Sequence, residues 1–179
     1  MSRRFLSVLL GAIISVVLYS QAWSNEYDSF IEEGNRFWAE QNIEAAQTAF
    51  EKAIKLDPKA ATAHARLAGL LLTNNQNKKA IKAYQNAINV DPTNPALFVA
   101  IGIAYLHEGS YSMAKTMVEQ ALTLDPGHKN GEKLQEYVTK KMEVVAQAAQ
   151  STSQKMPKDS THTSLGNKKA VESGVKKPH

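Results

Sequence analysis

An all-α fold of stacked helix pairs is what this sequence predicts, and two observations carry that expectation. Asp-Pro stands at Asp57-Pro58, Asp91-Pro92 and Asp125-Pro126, with the same interval both times. Between these marks, apolar residues recur at the three- and four-residue spacing of amphipathic helix faces. An even period of this length marks a repeat architecture, in which each unit buries its apolar face against its neighbours.

The chain opens on an address or an anchor. Arg3-Arg4 precede an apolar run from Phe5 to Tyr19, followed by Ser20-Gln21-Ala22. A basic start, an apolar stretch and small residues at the end form the secretory signal pattern. Cleavage after Ala22 would use Ser20 and Ala22, and cleavage after Ser24 would use Ala22 and Ser24. The competing expectation is an uncleaved anchor: Phe5 to Ser24 is 20 residues, about 30 Å as a helix and enough to cross a bilayer core. The arginine pair would then remain cytoplasmic, with the repeats on the far side. Residues 1–24 are thus expected to be a signal peptide or an N-terminal membrane anchor.

The repeats follow. Each Asp-Pro closes a similar phrase: Ala53-Ile54-Lys55-Leu56, Ala87-Ile88-Asn89-Val90 and Ala121-Leu122-Thr123-Leu124. Stepping back by the same interval aligns Ala46, Ala80 and Ala114, and then Phe50, Tyr84 and Val118. Gly34, Ala68 and Gly102 align further back, with Phe37, Leu71 and Tyr105 beside them. Each unit predicts two helices, the first over about 27–40, 61–74 and 95–108, the second over about 43–56, 77–90 and 111–124. The small residues fall where the paired helix must approach closely, and the large ones fill the space beside them. Asp-Pro ends each second helix, because proline disfavours helical geometry in the residue before it. Asn94-Pro95 supplies an N-cap followed by proline in the first turn.

These recurring columns resemble the tetratricopeptide repeat (TPR), over about 27–126 as three full units. The resemblance implies a TPR α-α superhelix of three helix pairs (about 27–60, 61–94 and 95–128) within a domain over 25–149. Departures are His64 where Phe30 and Phe98 carry rings, Glu33 where Leu67 and Ile101 are apolar, and Val118 in place of an aromatic residue.

A stack of this kind exposes an apolar edge at its last unit, normally covered by a capping helix. Residues 129–149 predict that C-terminal capping helix, with Leu134, Tyr137, Val138, Met142, Val145 and Ala148 on one face. A membrane-surface helix is the alternative, though large apolar residues are missing beyond Val145. From Gln150 to His179 the chain is Ser, Thr, Lys, Gln and Gly with little to bury, and is expected to be a disordered tail.

Composition narrows the function classes. The 179 residues are 43% hydrophobic with no cysteine, so disulfides, thiolate zinc sites and cysteine nucleophiles are excluded. The net charge of +4 belongs to the ends: residues 1–22 carry +2 and residues 150–179 carry +4, while 23–149 hold 13 basic against 15 acidic residues. A nucleic-acid binder carries its basic charge on the folded domain, so nucleic acid is not an expected partner. His64, His107, His128, His162 and His179 form no i, i+4 pair and no His-Glu-x-x-His pattern. No serine sits in a nucleophile elbow. The expectation is a non-enzyme with no catalytic residue, no metal and no cofactor.

The TPR resemblance implies that the first helices line an inner surface. Here the lining would be Ile31, Asn35 and Trp38, then Ala65, Arg66, Gly69 and Leu72, then Val99, Ile103 and Leu106, with His107 beside them. One TPR subgroup clamps the C-terminal carboxylate of chaperones with Lys, Arg and Asn on this surface. At those places the chain has Ile31, Asn35, Arg66, Ala96 and Ala100; only Asn35 agrees, so no chaperone-tail clamp is expected. Ile31, Leu72, Val99, Ile103 and Leu106 imply a largely apolar groove for a helix or extended peptide. The alternative is that the capping helix or ordinary packing covers them.

The expected function is an exported interaction module, in a bacterial periplasm or secreted, acting as scaffold or assembly factor for a protein or peptide partner. A membrane-tethered assembly factor, held by residues 5–24 and serving a membrane complex such as a photosystem, is the second expectation. An enzyme subunit is the third.

Overall fold

A computed structural model describes residues 25–154, and the expected signal or anchor at 1–24 lies outside them. All described secondary structure is helical. The helices are α1 (25–39), α2 (Ile43–Leu56), α3 (Ala61–Thr73), α4 (Asn77–Val90), α5 (Pro95–His107), α6 (Tyr111–Leu124) and α7 (Lys129–Gln154). The second helix of each pair has the bounds read from the sequence. The first helices end one residue earlier than expected.

Two kinds of helix stop alternate along the chain, and both recur with the period of the repeat. The second helices end on Asp57, Asp91 and Asp125, each at an extended φ, near −131°, −129° and −140°. Each aspartate then uses Oδ1 to accept a backbone N–H two residues on, from Lys59 at 2.9 Å, Thr93 at 3.3 Å and Gly127 at 3.1 Å. This Asx turn fixes the exit direction that the following proline begins.

The first helices stop differently. Asn42 N donates to Phe37 O, Gln76 N to Leu71 O and Ser110 N to Tyr105 O, each at 2.9 Å. The residues before them, Gln41, Asn75 and Gly109, donate to carbonyls three positions back and hold φ of 60°, 56° and 79°. This is the Schellman arrangement, which needs a left-handed residue after the helix. Glycine meets that need only at position 109.

Three buried clusters hold the stack, each reaching into the following first helix. Ala46 and Phe50 of α2 gather with Leu70 of α3. Ala80, Ala83 and Tyr84 of α4 join Ala68 and Leu71 of α3 with Ile101 and Ala104 of α5. Ala114, Val118 and Ala121 of α6 join Phe98 and Val99 of α5 with Leu134 and Val138 of α7. The large residue of each second helix therefore shares a cluster with the same repeat position of the next unit: Phe50 with Leu70, Tyr84 with Ala104, Val118 with Val138.

The close approach expected at Gly34 is present, since a Cβ there would lie 2.4 Å from Cε1 of Phe50. His64 fills a ring position as a buried polar group, with Nε2 donating to the Pro58 carbonyl at 3.0 Å.

α7 begins one repeat period after α5, in the place of a further first helix. Its buried stripe is narrower than the sequence implies: Leu134 and Val138 are buried, and Met142 packs partly beside them. Tyr137 is 51% exposed, under Nζ of Lys141 at 5.5 Å from its ring centroid. The chain divides into two compact units, Met1–Val144 and Val145–His179, and this packing belongs to the first. The helix also continues to Gln154, past the expected end at 149, because no Gly or Pro interrupts 150–154. Ser151 Oγ donates back to the Ala148 carbonyl at 2.8 Å within that stretch.

Candidate functional site

A groove opens between α3 and α5, with about 430 Å³ of space. One wall is the face of α3 made by Ala61, Thr62, Ala65, Arg66 and Gly69, a set that helical periodicity places on one side. The other wall is Ala96, Leu97 and Ala100 of α5, and Asp91 and Asn94 enter from the turn between α4 and α5. Trp38 of α1 and Tyr84 of α4 complete the lining.

Gly69 allows this arrangement. A Cβ at Gly69 would lie 2.9 Å from Cη2 of Trp38 and 3.6 Å from the Tyr84 hydroxyl. Without a side chain there, both aromatic residues reach the groove from neighbouring helices. Trp38 is fixed from behind by the edge-on ring of Phe50, with centroids 6.3 Å apart and planes at 85°. Tyr84 is 7% exposed, and burial pushes its phenol pKa above the ordinary 10.0.

The polar groups differ in freedom. Asn94 Oδ1 caps α5 by accepting from Ala96 N at 3.1 Å. Asp91 Oδ1 is engaged by the N–H and hydroxyl of Thr93. Arg66 is exposed and makes no ion pair among the described residues.

The structure brings together four of the residues expected on this surface: Trp38, Ala65, Arg66 and Gly69. Asn35, half-buried on α1, and Ile103, 36% exposed on α5, do not line this pocket. Ile31, Leu72 and Leu106 are partly buried and pack against the three core clusters. His107 contributes its carbonyl, which accepts from Asn77 Nδ2 at 3.1 Å.

Val99 corrects the expectation. It is 6% exposed and belongs to the cluster holding Leu134 and Val138, so the capping helix covers it. The lining that remains is mostly apolar, with Thr62, Arg66, Asp91 and Asn94 as its polar members. Ala61, Thr62, Tyr84, Asp91, Asn94 and Leu97 are lining residues that the sequence did not place on this surface. Gly69 was the available signal, because a missing side chain exposes whatever lies behind it.

Comparison with known proteins agrees with this geometry. The tetratricopeptide repeat matches residues 31–95 and again residues 95–128. Together these matches cover more than half of the chain, which belongs to the tetratricopeptide-repeat family. Among curated proteins, the DnaJ homolog subfamily C member 7 homolog of Dictyostelium discoideum is 30% identical over 104 residues, 56% of this chain and 19% of that protein. Human DnaJ homolog subfamily C member 7 is 27% identical over 130 residues, 73% of this chain and 26% of that one. The chain thus spans about a fifth to a quarter of the length of these relatives.

Among solved structures, the Sgt2 TPR domain from Aspergillus fumigatus superposes with a TM-score of 0.65 at 21% identity, over 79% of this chain and 91% of that one. The second TPR domain of human RPAP3, in complex with the HSP70 peptide SGPTIEEVD, gives 0.61 at 26% identity, over 65% and 98%.

Proposed function

We propose that this chain is a protein-interaction module that holds a peptide segment of a partner protein in the groove between α3 and α5. The observation that carries this reading is the groove itself: a recess of about 430 Å³ with an aromatic wall and the exposed Arg66 and Thr62 side chains on its rim. Such a recess suits a peptide anchored by a few side chains. The complex of the RPAP3 domain with a peptide supports the same use of the fold. Catalysis is not part of this reading. Nor is a chaperone-tail clamp, since Ile31, Ala96 and Ala100 stand where the clamp requires Lys, Arg or Asn.

The module acts outside the compartment of its synthesis, as a scaffold or assembly factor, either released after cleavage or tethered by residues 5–24. The basic-then-apolar pattern of residues 1–24 supports this reading. A mature N-terminus at Trp23 or Asn25, with release from membranes in salt, would exclude the tethered version.

A photo-crosslinking residue in place of Thr62, in cells, tests the binding reading. Thr62 lines the groove, whereas Thr116 is exposed on α6 away from it. Capture of a partner from position 62 and not from 116 is the expected result. Equal capture from both positions, or capture from 116 alone, refutes the groove as the site.

A further inference from the structure

The second helices carry a charged patch on the side turned away from the groove. On α4, Lys78, Lys79 and Lys82 are exposed, opposite the buried Ala80, Ala83, Tyr84 and Ala87. The helix, NKKAIKAYQNAINV, holds no acidic residue, and Gln85, Asn86 and Asn89 continue its exposed side with neutral amides. Lys78 reaches Glu108 at 3.7 Å with its side chain 88% exposed, and neither Lys79 nor Lys82 makes an ion pair among the described residues. An apolar side chain adjoins them. Met117 of α6 packs against the cluster that holds Ala80 and Ala83, and Met113 lies one turn earlier on the same side of α6, 44% exposed.

This charge stands against the local preference of the helix. α2 begins in the favoured way, with Asn42 capping it and Glu44 in its first turn. α4 begins with no side-chain cap from Gln76, no acidic residue in its first turn, and Lys78 and Lys79 beside the positive end of the dipole. Like charges gathered at one helix start disfavour each other and the helix, and no residue of α4 offsets them. A local conflict without a compensating contact marks a place where function is written into the sequence. An anionic surface brought against α4 removes the conflict.

The chemistry of the patch favours an extended anionic surface over a single acidic group. Lysines are flexible, strongly hydrated point charges suited to a diffuse field, whereas fixed recognition of one acidic group uses the planar fork of arginine. No arginine stands on α4 or α6. Met113 adds an unbranched, polarizable apolar side chain that can enter a headgroup layer. We propose that the exposed side of α4, with Met113 of α6, docks on a membrane surface of anionic phospholipid. This leaves the groove free for its partner, because Tyr84 reaches the groove from the opposite side of α4.

The chain has no cysteine, so a single introduced cysteine carries a polarity-sensitive dye at a chosen place. Ser112→Cys puts the dye beside Met113, and Thr62→Cys puts it at the groove; both residues are exposed. The whole chain is mixed with vesicles of phosphatidylglycerol or of phosphatidylcholine. The dye at 112 should shift to the blue with phosphatidylglycerol and not with phosphatidylcholine, while the dye at 62 responds to neither. At one fixed lipid concentration, the ratio of docked to free dye should fall about fivefold for Lys79→Gln or Lys82→Gln, and roughly a hundredfold when Lys78→Gln joins them. Salt at about 1 M, where the screening length is about 3 Å, should abolish the shift.

The replaced residues are all exposed, so the variants should keep the parent's far-ultraviolet circular dichroism. An equal shift with the two lipids, a shift that survives the triple replacement, a larger response at 62 than at 112, or no response at all overturns the proposal. Binding of poly-glutamate at 112 while vesicles leave the dye unchanged also overturns it, and makes the patch a contact for an acidic protein. None of these outcomes touches the groove reading, which crosslinking from position 62 tests separately.

Discussion

Replacing Gly34 with alanine would place a Cβ 2.4 Å from Cε1, 2.6 Å from Cδ1 and 2.9 Å from Cζ of Phe50. That ring is fully buried and braced by Trp38, so it has little room to withdraw. Overpacking of this kind costs about 1–3 kcal/mol, while removing a mid-helix glycine returns roughly 0.5–1 kcal/mol. The net expectation is a loss of about 1–2 kcal/mol. Gly102, at the same repeat position, should behave oppositely. Its added Cβ would meet Leu134 Cδ2 and Val118 Cγ2 at 3.3 Å, both side-chain termini that need shift only a few tenths of an ångström. There the helix term dominates, and Gly102→Ala should change stability by between zero and about +1 kcal/mol. Urea unfolding followed by far-ultraviolet circular dichroism measures both, and Gly34→Ala combined with Phe50→Leu should show a coupling of about 1 kcal/mol or more. A Gly34→Ala protein as stable as the parent, or a vanishing coupling, would refute the packing argument.

The Schellman positions give a second test: Gly109→Gln should cost about 1 kcal/mol in urea unfolding, because an L side chain resists the left-handed region. Gln41→Gly should gain a smaller amount after the entropy cost of glycine, and Asn75→Gly should be nearly neutral, since asparagine tolerates that backbone. Val99→Asp should destabilise by roughly 3 kcal/mol or more by burying an unpaired charge, whereas Ile103→Asp should stay within about 0.5 kcal/mol; chemical denaturation of the two variants side by side checks the different places the structure gives them. Burial raises the folded-state pKa of Tyr84 above 10.0, and burial followed by Asp57 and Asp28 does the same for Tyr27. Their contribution is therefore fully present below pH 10 and is lost as pH rises through the folded values. Stability measured from neutral to alkaline pH should fall in that window, and Tyr84→Phe should flatten the fall.

Most of the fold was legible because the chain states its period aloud. Asp57-Pro58, Asp91-Pro92 and Asp125-Pro126 mark the ends of the second helices, and the bounds of α2, α4 and α6 follow from them. The ends of the first helices were harder to place, since Gln41 and Asn75 adopt a glycine-like conformation without being glycine. Val99 was misplaced for a physical reason: α5, PALFVAIGIAYLH, is apolar on every side, so no face of it announces which residues meet α7. The reverse error hid Tyr84. As the member of the large-residue column beside Phe50 and Val118 it looks wholly internal, and its hydroxyl reaches the groove only through the gap at Gly69. Tyr137 was placed on the capping face by spacing alone, but α7 buries only the stripe through Leu134 and Val138.

The pairs Phe50 with Leu70, Tyr84 with Ala104 and Val118 with Val138 have a meaning for how the units can be ordered. Each junction matches a different pair of side-chain sizes, although the helix bounds recur with one period. Excising 61–94 would keep the helix spacing yet set Phe50 against Ala104, opening a void where Leu70 had been. Exchanging the second and third units would drive Tyr84 towards Val138 and leave Val118 facing a place shaped for another residue. The backbone period makes the units look interchangeable, while the side chains number them. The chain therefore carries an internal index: its sequence of units is written in the side-chain pairs at its junctions.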